Sequence, residues 1–301
     1  MMKTILITGA TGMIGGHIIN ALLERGDRYI ALTTNTVSAG KKLNNPYRII
    51  AADDIMTLKD EKIDAVINLA GANLGGKRWN EKTKKEFYDS RINITGKLTE
   101  LIAAMEVKPE VLVSASGVDY YGDTGSTEMH EDAPPADTFL GKLTHDWEAA
   151  ALAAEKYGVR VVCLRTGFVM ARDSDAVKKL IMPFKFFVGG PLGSGRQYVS
   201  WIHIDDLVSI YLFAIDNPKV KGIYNAAAPN PETNALFGRN AAKILSRPHF
   251  VFVPAFMLKL IVGEMAAVVL EGRRAIPDKI IRMGFNFKYE HASDAWKDIL
   301  K

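Results

Sequence analysis

A single cysteine in 301 residues, Cys163, rules out a disulfide within the chain and fits a reducing compartment. It stands in VRVVCLR, an apolar β-branched run in which a buried strand thiol is expected rather than a reactive one. Long hydrophobic runs are missing too. The longest, AFMLKLIVGEMAAVVL from Ala255, is interrupted by Lys259 and Glu264, which predicts a core-facing helix rather than a membrane span. The opening MMKTILITGATG is too short in its apolar part for a signal sequence. Together these absences lead us to expect a cytoplasmic protein without membrane contact. Charge of one sign is also scarce: 38 Lys and Arg against 34 Asp and Glu leave +4. That excess is too small and scattered to predict nucleic-acid binding, although a small anionic ligand would be accommodated. Metal-ligand spacing is lacking among the six histidines, the cysteine and the carboxylates, so no metal is expected.

What the chain does have is alternation. KTILIT, MIGGHIINALLERG, RYIALT, DAVINLA, TKKEFYDSRINITGKLTELIAAM and EVLVSAS read in turn as strand or helix, and a helix from about His145 to Tyr157 precedes the strand VRVVCLRTG. Such a rhythm predicts an α/β fold, a doubly wound parallel sheet of Rossmann type covered on both faces. From about Met182 the pattern changes to GGPLGSGRQ, a short strand YVSWIHI and a helix capped by Asp205 or Asp206. Residues 1–224 are assigned to the dinucleotide-binding domain, which contributes to a second lobe from about residue 182. Residues 225–301 form that smaller, mostly helical C-terminal substrate lobe, placed over the carboxyl ends of the strands, where ligands of open α/β sheets bind.

Between the first strand and the first helix stands TGATGMIG, with Gly9, Gly12 and Gly15 in GxxGxxG spacing. Gly9 permits the tight turn, Gly12 admits a pyrophosphate to the backbone N–H groups, and Gly15 lets helix and strand approach. The residue that reads the adenosine ribose is expected at the end of the second strand, where an acid selects NAD. No acidic residue lies between Asp27 and Asp53, while Thr33, Thr34, Asn35, Lys41 and Lys42 do. NADP is therefore expected over NAD.

TGATGMIG, DAVINLAGA and SASGVDYYG in this order resemble the extended short-chain dehydrogenases/reductases, the class that includes sugar-nucleotide epimerases and dehydratases. KRWNEKTKKEFYDSR, GGPLGSGRQYVSWIHIDDL, GIYNAAAPNPETN and VPAFMLKLIVGEMAAVVLEGRRAIPDKIIRMGFNF narrow the resemblance to its atypical "epimerase family protein" group, over nearly the whole chain. The resemblance places Gly9, Thr11, Gly12, Met13, Ile14 and Gly15 at the pyrophosphate, Thr33 and Thr34 at the adenosine ribose, and Leu69 and Ala70 beside the cofactor. Many relatives carry arginine where Thr34 stands. Glu86 and Arg91 are either further contacts or a surface ion pair, and Val169 is expected near the nicotinamide.

The superfamily's active site pairs a serine or threonine with a tyrosine and a lysine four residues later, the lysine lowering the phenol's pKa. Here Ser116 occupies the serine place, but Phe139 and Leu143 fall where the tyrosine and lysine belong. Tyr120 and Tyr121 are the replacement candidates for proton transfer; Lys142, one residue off the lysine place, is turned away by about 100° on a helix. Arg196 and Gln197 are expected to hold a small, anionic substrate, and His203 to pack at a strand end. Two functions follow: an NADP(H)-dependent oxidoreductase or epimerase-like enzyme, or a non-catalytic NADP(H)-binding sensor.

Overall fold

The computed structural model describes residues 2–301. The β-branched runs form seven strands, β1 Thr4–Thr8, β2 Arg28–Thr33, β3 Arg48–Ala51, β4 Ala65–Asn68, β5 Val111–Gly117, β6 Arg160–Thr166 and β7 Gly222–Ala226. Every neighbouring pair is parallel, and in these labels the strands lie side by side as β7-β6-β5-β4-β1-β2-β3. The order reverses between β1 and β4, so a crevice opens beyond their carboxyl ends.

Strand side chains alternate between two apolar layers, as a sheet covered on both faces requires. Ile5, Ile7, Ile67, Val113 and Leu164 face helices α1 (Met13–Glu24) and α6 (Ile204–Asp216), which bring Ile18, Leu22, Leu207 and Tyr211. On the other face Leu6, Val66, Leu112, Val161 and Cys163 meet Leu98, Leu101 and Ile102 of α3 (Glu81–Ala104). Cys163 is the buried strand thiol expected, and burial pushes its pKa up. Helix α2 is Thr36–Lys42.

Helix α4 spans Phe139–Leu152 and continues as a 3₁₀ turn to Tyr157, so it begins six residues before the expected start at His145. Thr138 starts it by accepting a bond from Gly141 N–H. The α6 cap also differs from expectation. His203, buried at the end of a short strand, accepts from Asp205 N–H at Nδ1, while the Asp206 carboxylate accepts from the N–H groups of Lys288 and Tyr289 and pins the C-terminal segment.

The second lobe has its own core, in which Met170, Val177, Ile181 and Trp201 join Phe237, Ala241, Trp296 and Ile299. It draws on helices α5 (Asp175–Lys185) and α7 (Asn234–Leu245). The assigned boundary at residue 225 falls inside β7. The segment read as a core-facing helix is instead α8, Ala255–Val262, a 3₁₀ turn at Gly263–Met265 and a short helix Ala266–Leu270. None of the residues of α8 is buried. With Lys259 as its one polar residue, the octamer has no polar stripe to show which side belongs inside.

Candidate cofactor and substrate clefts

The glycine turn is built as its spacing requires. Gly9 has φ +66°, and a Cβ there would stand 2.7 Å from the Leu69 carbonyl oxygen. A Cβ on Gly15 would meet the Gly9 carbonyl at 2.4 Å. The chain after β1 therefore passes against the chain after β4 with no room for a side chain. Thr8 fixes that approach: its hydroxyl donates to Asn68 Oδ1 at 2.8 Å and accepts from Leu69 and Ala70 N–H at 3.0 Å each. Asn68 Nδ2 in turn donates to Thr95 and Ser114.

Over this floor lies a cleft of about 520 Å³. It gathers Gly9, Thr11, Thr33, Thr34 and Ala70 of the expected set; Gly12, Met13, Ile14 and Gly15 form the turn into α1 beside it, and Leu69 packs below against the core. The sequence reading missed the opposite wall, where α3 contributes Ser90, Asn93, Ile94 and Lys97, and the chain after β3 contributes Asp53, 2.6 Å from Lys97. Position directly after the third strand was the available signal for Asp53. Lys41 and Lys42, expected to face a 2′-phosphate, occupy the last turn of α2, roughly 9 Å along the helix from its start beside Thr34.

Glu86 is exposed and bound to Lys77 at 2.8 Å, so of the two readings offered for it the surface ion pair is the one observed. Arg91 is buried beneath the cleft instead. It donates to the carbonyls of Phe87 and Ala72, lies 5.1 Å from the Trp147 ring, and would be struck at 2.8 Å by a Cβ on Gly71. Burial pushes its pKa down to about 10. Arg91 thus props the Gly71–Ala72 backbone that lines the cleft. Val169 sits on a short strand, Phe168–Met170, and packs against the main core.

A second cleft, about 760 Å³, separates Trp79, Thr138, Phe139 and Leu140 from the lobe residues Ala255, Ala266, Ala267, Leu270 and Arg273. Phe139 meets Trp79 edge to face at 5.9 Å, and Leu143 is buried in the same cluster with Ala72 packed against it. Ala72, which lines the first cleft, packs against the cluster whose Trp79 and Leu140 line the second. At the place of the absent tyrosine there is thus a dry apolar surface. Arg273 is the cation that sequence reasoning missed. It is 93% buried, contacts Asp119 at 3.1 Å and Glu271 at 3.2 Å, and its Nε has no partner. Arg196, by contrast, is exposed, and the Gln197 amide donates to the carbonyls of Leu192 and Val269 and holds the glycine-rich loop.

Ser116 and Tyr121 are brought together, but inside a buried network. Ser116 donates to Glu148 at 2.7 Å; Arg165 grips both oxygens of Glu148 at 2.8 Å and donates to the Tyr121 hydroxyl at 2.9 Å; Tyr121 donates to Asn225 at 2.7 Å. Burial pushes the Tyr121 phenol up to about 12. Burial works against the charge of Arg165, but its bonds to Glu148 hold its pKa above the usual value. The Tyr120 ring lies under this guanidinium, 3.3 Å from its central carbon. The hydroxyls of Ser116 and Tyr121 line neither of these two clefts, and the bonds they make are to Glu148, Arg165 and Asn225. Tyr121→Phe should cost about 1–3 kcal/mol of stability by leaving Asn225 Oδ1 unpaired, with NADPH affinity unchanged in calorimetry. A loss of affinity would place the phenol in the cofactor site.

Comparison with known proteins agrees with this architecture. Residues 5–227 match the model of the NAD dependent epimerase/dehydratase family. The chain belongs to that family. Residues 253–299 match a domain of unknown function, DUF1731. Epimerase family protein SH2119 of Staphylococcus haemolyticus is 40% identical over 302 residues, 99% of each chain. The chloroplastic SDR39U1 homolog of Arabidopsis thaliana is 39% identical over 99% of this chain and 87% of its own. The crystal structure of human epimerase family protein SDR39U1 with NADPH superimposes with a TM-score of 0.89, at 32% identity and 98% coverage of both chains. UDP-glucuronic acid 4-epimerase of Bacillus cereus with NAD, at 20% identity and a TM-score of 0.78, shares the fold. The resemblance drawn from TGATGMIG, DAVINLAGA and SASGVDYYG is thereby confirmed at the level of family.

Proposed function

We propose that this chain is an NADP(H)-dependent oxidoreductase or epimerase-like enzyme acting on a small molecule held in the second cleft. The observation that carries the reading is the pair of clefts: one is floored by glycines whose Cβ positions are blocked by backbone, the other has an apolar wall of Trp79, Phe139 and Leu140 and holds the buried Arg273. The residues fit a dinucleotide. Thr33 and Thr34 would take the adenosine ribose, the Gly9–Gly12 turn the pyrophosphate, and the nicotinamide would lie past Ala72, which packs against the cluster that includes Phe139. The human relative solved with NADPH supports the NADP form, as does the absence of a carboxylate at the end of β2.

When bound, the nicotinamide supplies or accepts hydride. The protein's part is to orient the ligand and exclude water: Trp79 and Phe139 would flank the apolar body of the substrate, and the Arg273 guanidinium in the cleft wall would attract an acceptor atom on it. Asp119 and Glu271 already share the Arg273 guanidinium, and at the rim Glu264 is bonded to Lys84 at 2.6 Å while Lys259 is exposed. The site therefore suits a substrate with a single polar acceptor, and the anionic group expected from the sequence would have to compete with two carboxylates. No side chain with a titrating proton occupies the tyrosine place, so proton exchange would pass through water.

The test is NADPH oxidation followed at its absorbance band against a panel of small carbonyl compounds. We expect turnover with at least one apolar carbonyl, and an Arg273→Met variant that loses about tenfold or more in kcat/KM with unchanged NADPH affinity. Bound NADPH with no turnover across the panel would support the non-catalytic sensor instead.

A further inference from the structure

Two segments of the second lobe, 176–190 and 234–263, contain Lys178, Lys179, Lys185, Arg239, Lys243, Arg247 and Lys259 and not one aspartate or glutamate. All seven cations are exposed. The same segments hold the most exposed large apolar side chains of the lobe: Phe186 at 71%, Phe250 at 72%, Phe256 at 70%, Leu260 at 78% and Ile261 at 67%. Phe187, Val188, Phe252 and Met257 are exposed beside them. The segments lie side by side. Phe250 and Val251 N–H donate to the Gly189 carbonyl at 3.1 Å, Val253 N–H donates to Pro191, and Arg247 sits 4.5 Å over the Phe187 ring. The result is a surface that is aromatic and aliphatic in the middle and mainly cationic around it, with Asp175, bonded to Lys178 at 3.5 Å, and Glu264, bonded to Lys84 at 2.6 Å, at the segment ends.

Exposed apolar surface of this extent marks an interaction site, and the charge decides among occupants. In an isologous pairing of two copies, the same seven cations would be brought together from both sides. The side chains of Phe186, Phe250, Phe256, Leu260 and Ile261 are two-thirds or more exposed and line neither of the two clefts, so they meet solvent rather than a bound ligand. Phenylalanine, leucine and isoleucine flanked by lysine and arginine match the polar–apolar boundary of a negatively charged bilayer. Among the described residues no helix is long and apolar enough to cross a membrane, so contact would be by this face alone.

We infer that this face, centred on α8 and the Phe186–Val188 turn, docks the protein peripherally on an anionic lipid surface. This departs from the absence of membrane contact expected from sequence, which rested on the lack of a spanning segment and of a signal sequence. Helix α8 also contributes Ala255 and Lys259 to the wall of the second cleft, so docking sets the mouth of that cleft beside the bilayer. The inference rests on surface composition and does not require the proposed catalysis.

The experiment is co-sedimentation of the full chain with phosphatidylcholine vesicles, with and without phosphatidylglycerol, at low and high salt. Binding should appear on the phosphatidylglycerol vesicles, fall at least about tenfold on phosphatidylcholine alone, and weaken as salt rises. Phe256→Asp combined with Leu260→Asp should reduce it at least about tenfold, with melting temperature and NADPH affinity unchanged because both side chains are exposed. Lys185→Glu with Lys243→Glu should act in the same direction. No sedimentation with anionic vesicles, binding unaffected by both pairs of substitutions, or a wild-type dimer that the Phe256/Leu260 pair dissolves would each overturn the inference.

Discussion

Replacing Gly9 by valine is expected to weaken NADPH binding by at least about 100-fold, equivalent to about 2.7 kcal/mol. Two effects act together. The left-handed backbone at φ +66° costs a β-branched residue about 1–2 kcal/mol. In addition, the new Cβ would lie 2.7 Å from the oxygen and 2.9 Å from the carbon of the Leu69 carbonyl. Neither atom can yield without parting the loops after β1 and β4, because Thr8 bonds both Leu69 and Ala70 N–H. Gly12 N–H, held at 3.0 Å by the Gly9 carbonyl, would move with them. Calorimetric titration of the variant checks this, and an affinity within threefold of wild type would show that the turn is not the cofactor cradle.

The other large effect belongs to Glu148. Arg165 is 1% and Glu148 4% exposed, and two 2.8 Å bonds join them. Glu148→Ala would leave a buried guanidinium with Tyr121, the Glu131 carbonyl and the Tyr120 ring as its remaining partners. Breaking such a pair from one side costs about 3–5 kcal/mol, a fall in melting temperature on the order of 10 °C. Glu148→Leu with Arg165→Met should be less damaging than either change alone, since removing both charges leaves none uncompensated. If the double variant melts below both single variants, the network has a net stabilising role that pairwise electrostatics does not describe.

The difference between these two sites explains what the sequence reveals and what it hides. The Gly9–Gly15 turn is local: strand, glycines and helix are contiguous, so spacing alone carries the geometry. The seven-strand order follows from repeated β-branched runs for the same reason. The Ser116–Glu148–Arg165–Tyr121–Asn225 network draws on β5, α4, β6 and β7, and no spacing along the chain links residues more than 100 positions apart. Arg196 and Arg273 illustrate the same limit, since both follow glycines beside the cleft and only the fold shows that Arg273 turns inward. Helix α8 was misread because an apolar run without periodicity is compatible with a core or with an exposed docking face. Phe139 and Leu143 were legible as an apolar pair in place of tyrosine and lysine, and they form the dry wall that their side chains imply.

Side-by-side calorimetric titration of the wild-type protein with NADPH and with NADH tests the central claim most directly. Thr33, Thr34 and Asn35 offer hydrogen-bond donors and no carboxylate at the end of β2, and Asp53 on the facing wall is paired with Lys97 at 2.6 Å. The account predicts saturable binding of both at one site, with NADPH about tenfold or more tighter, a difference of about 1.4 kcal/mol. Equal affinities, a preference for NADH, or no binding of either would contradict it.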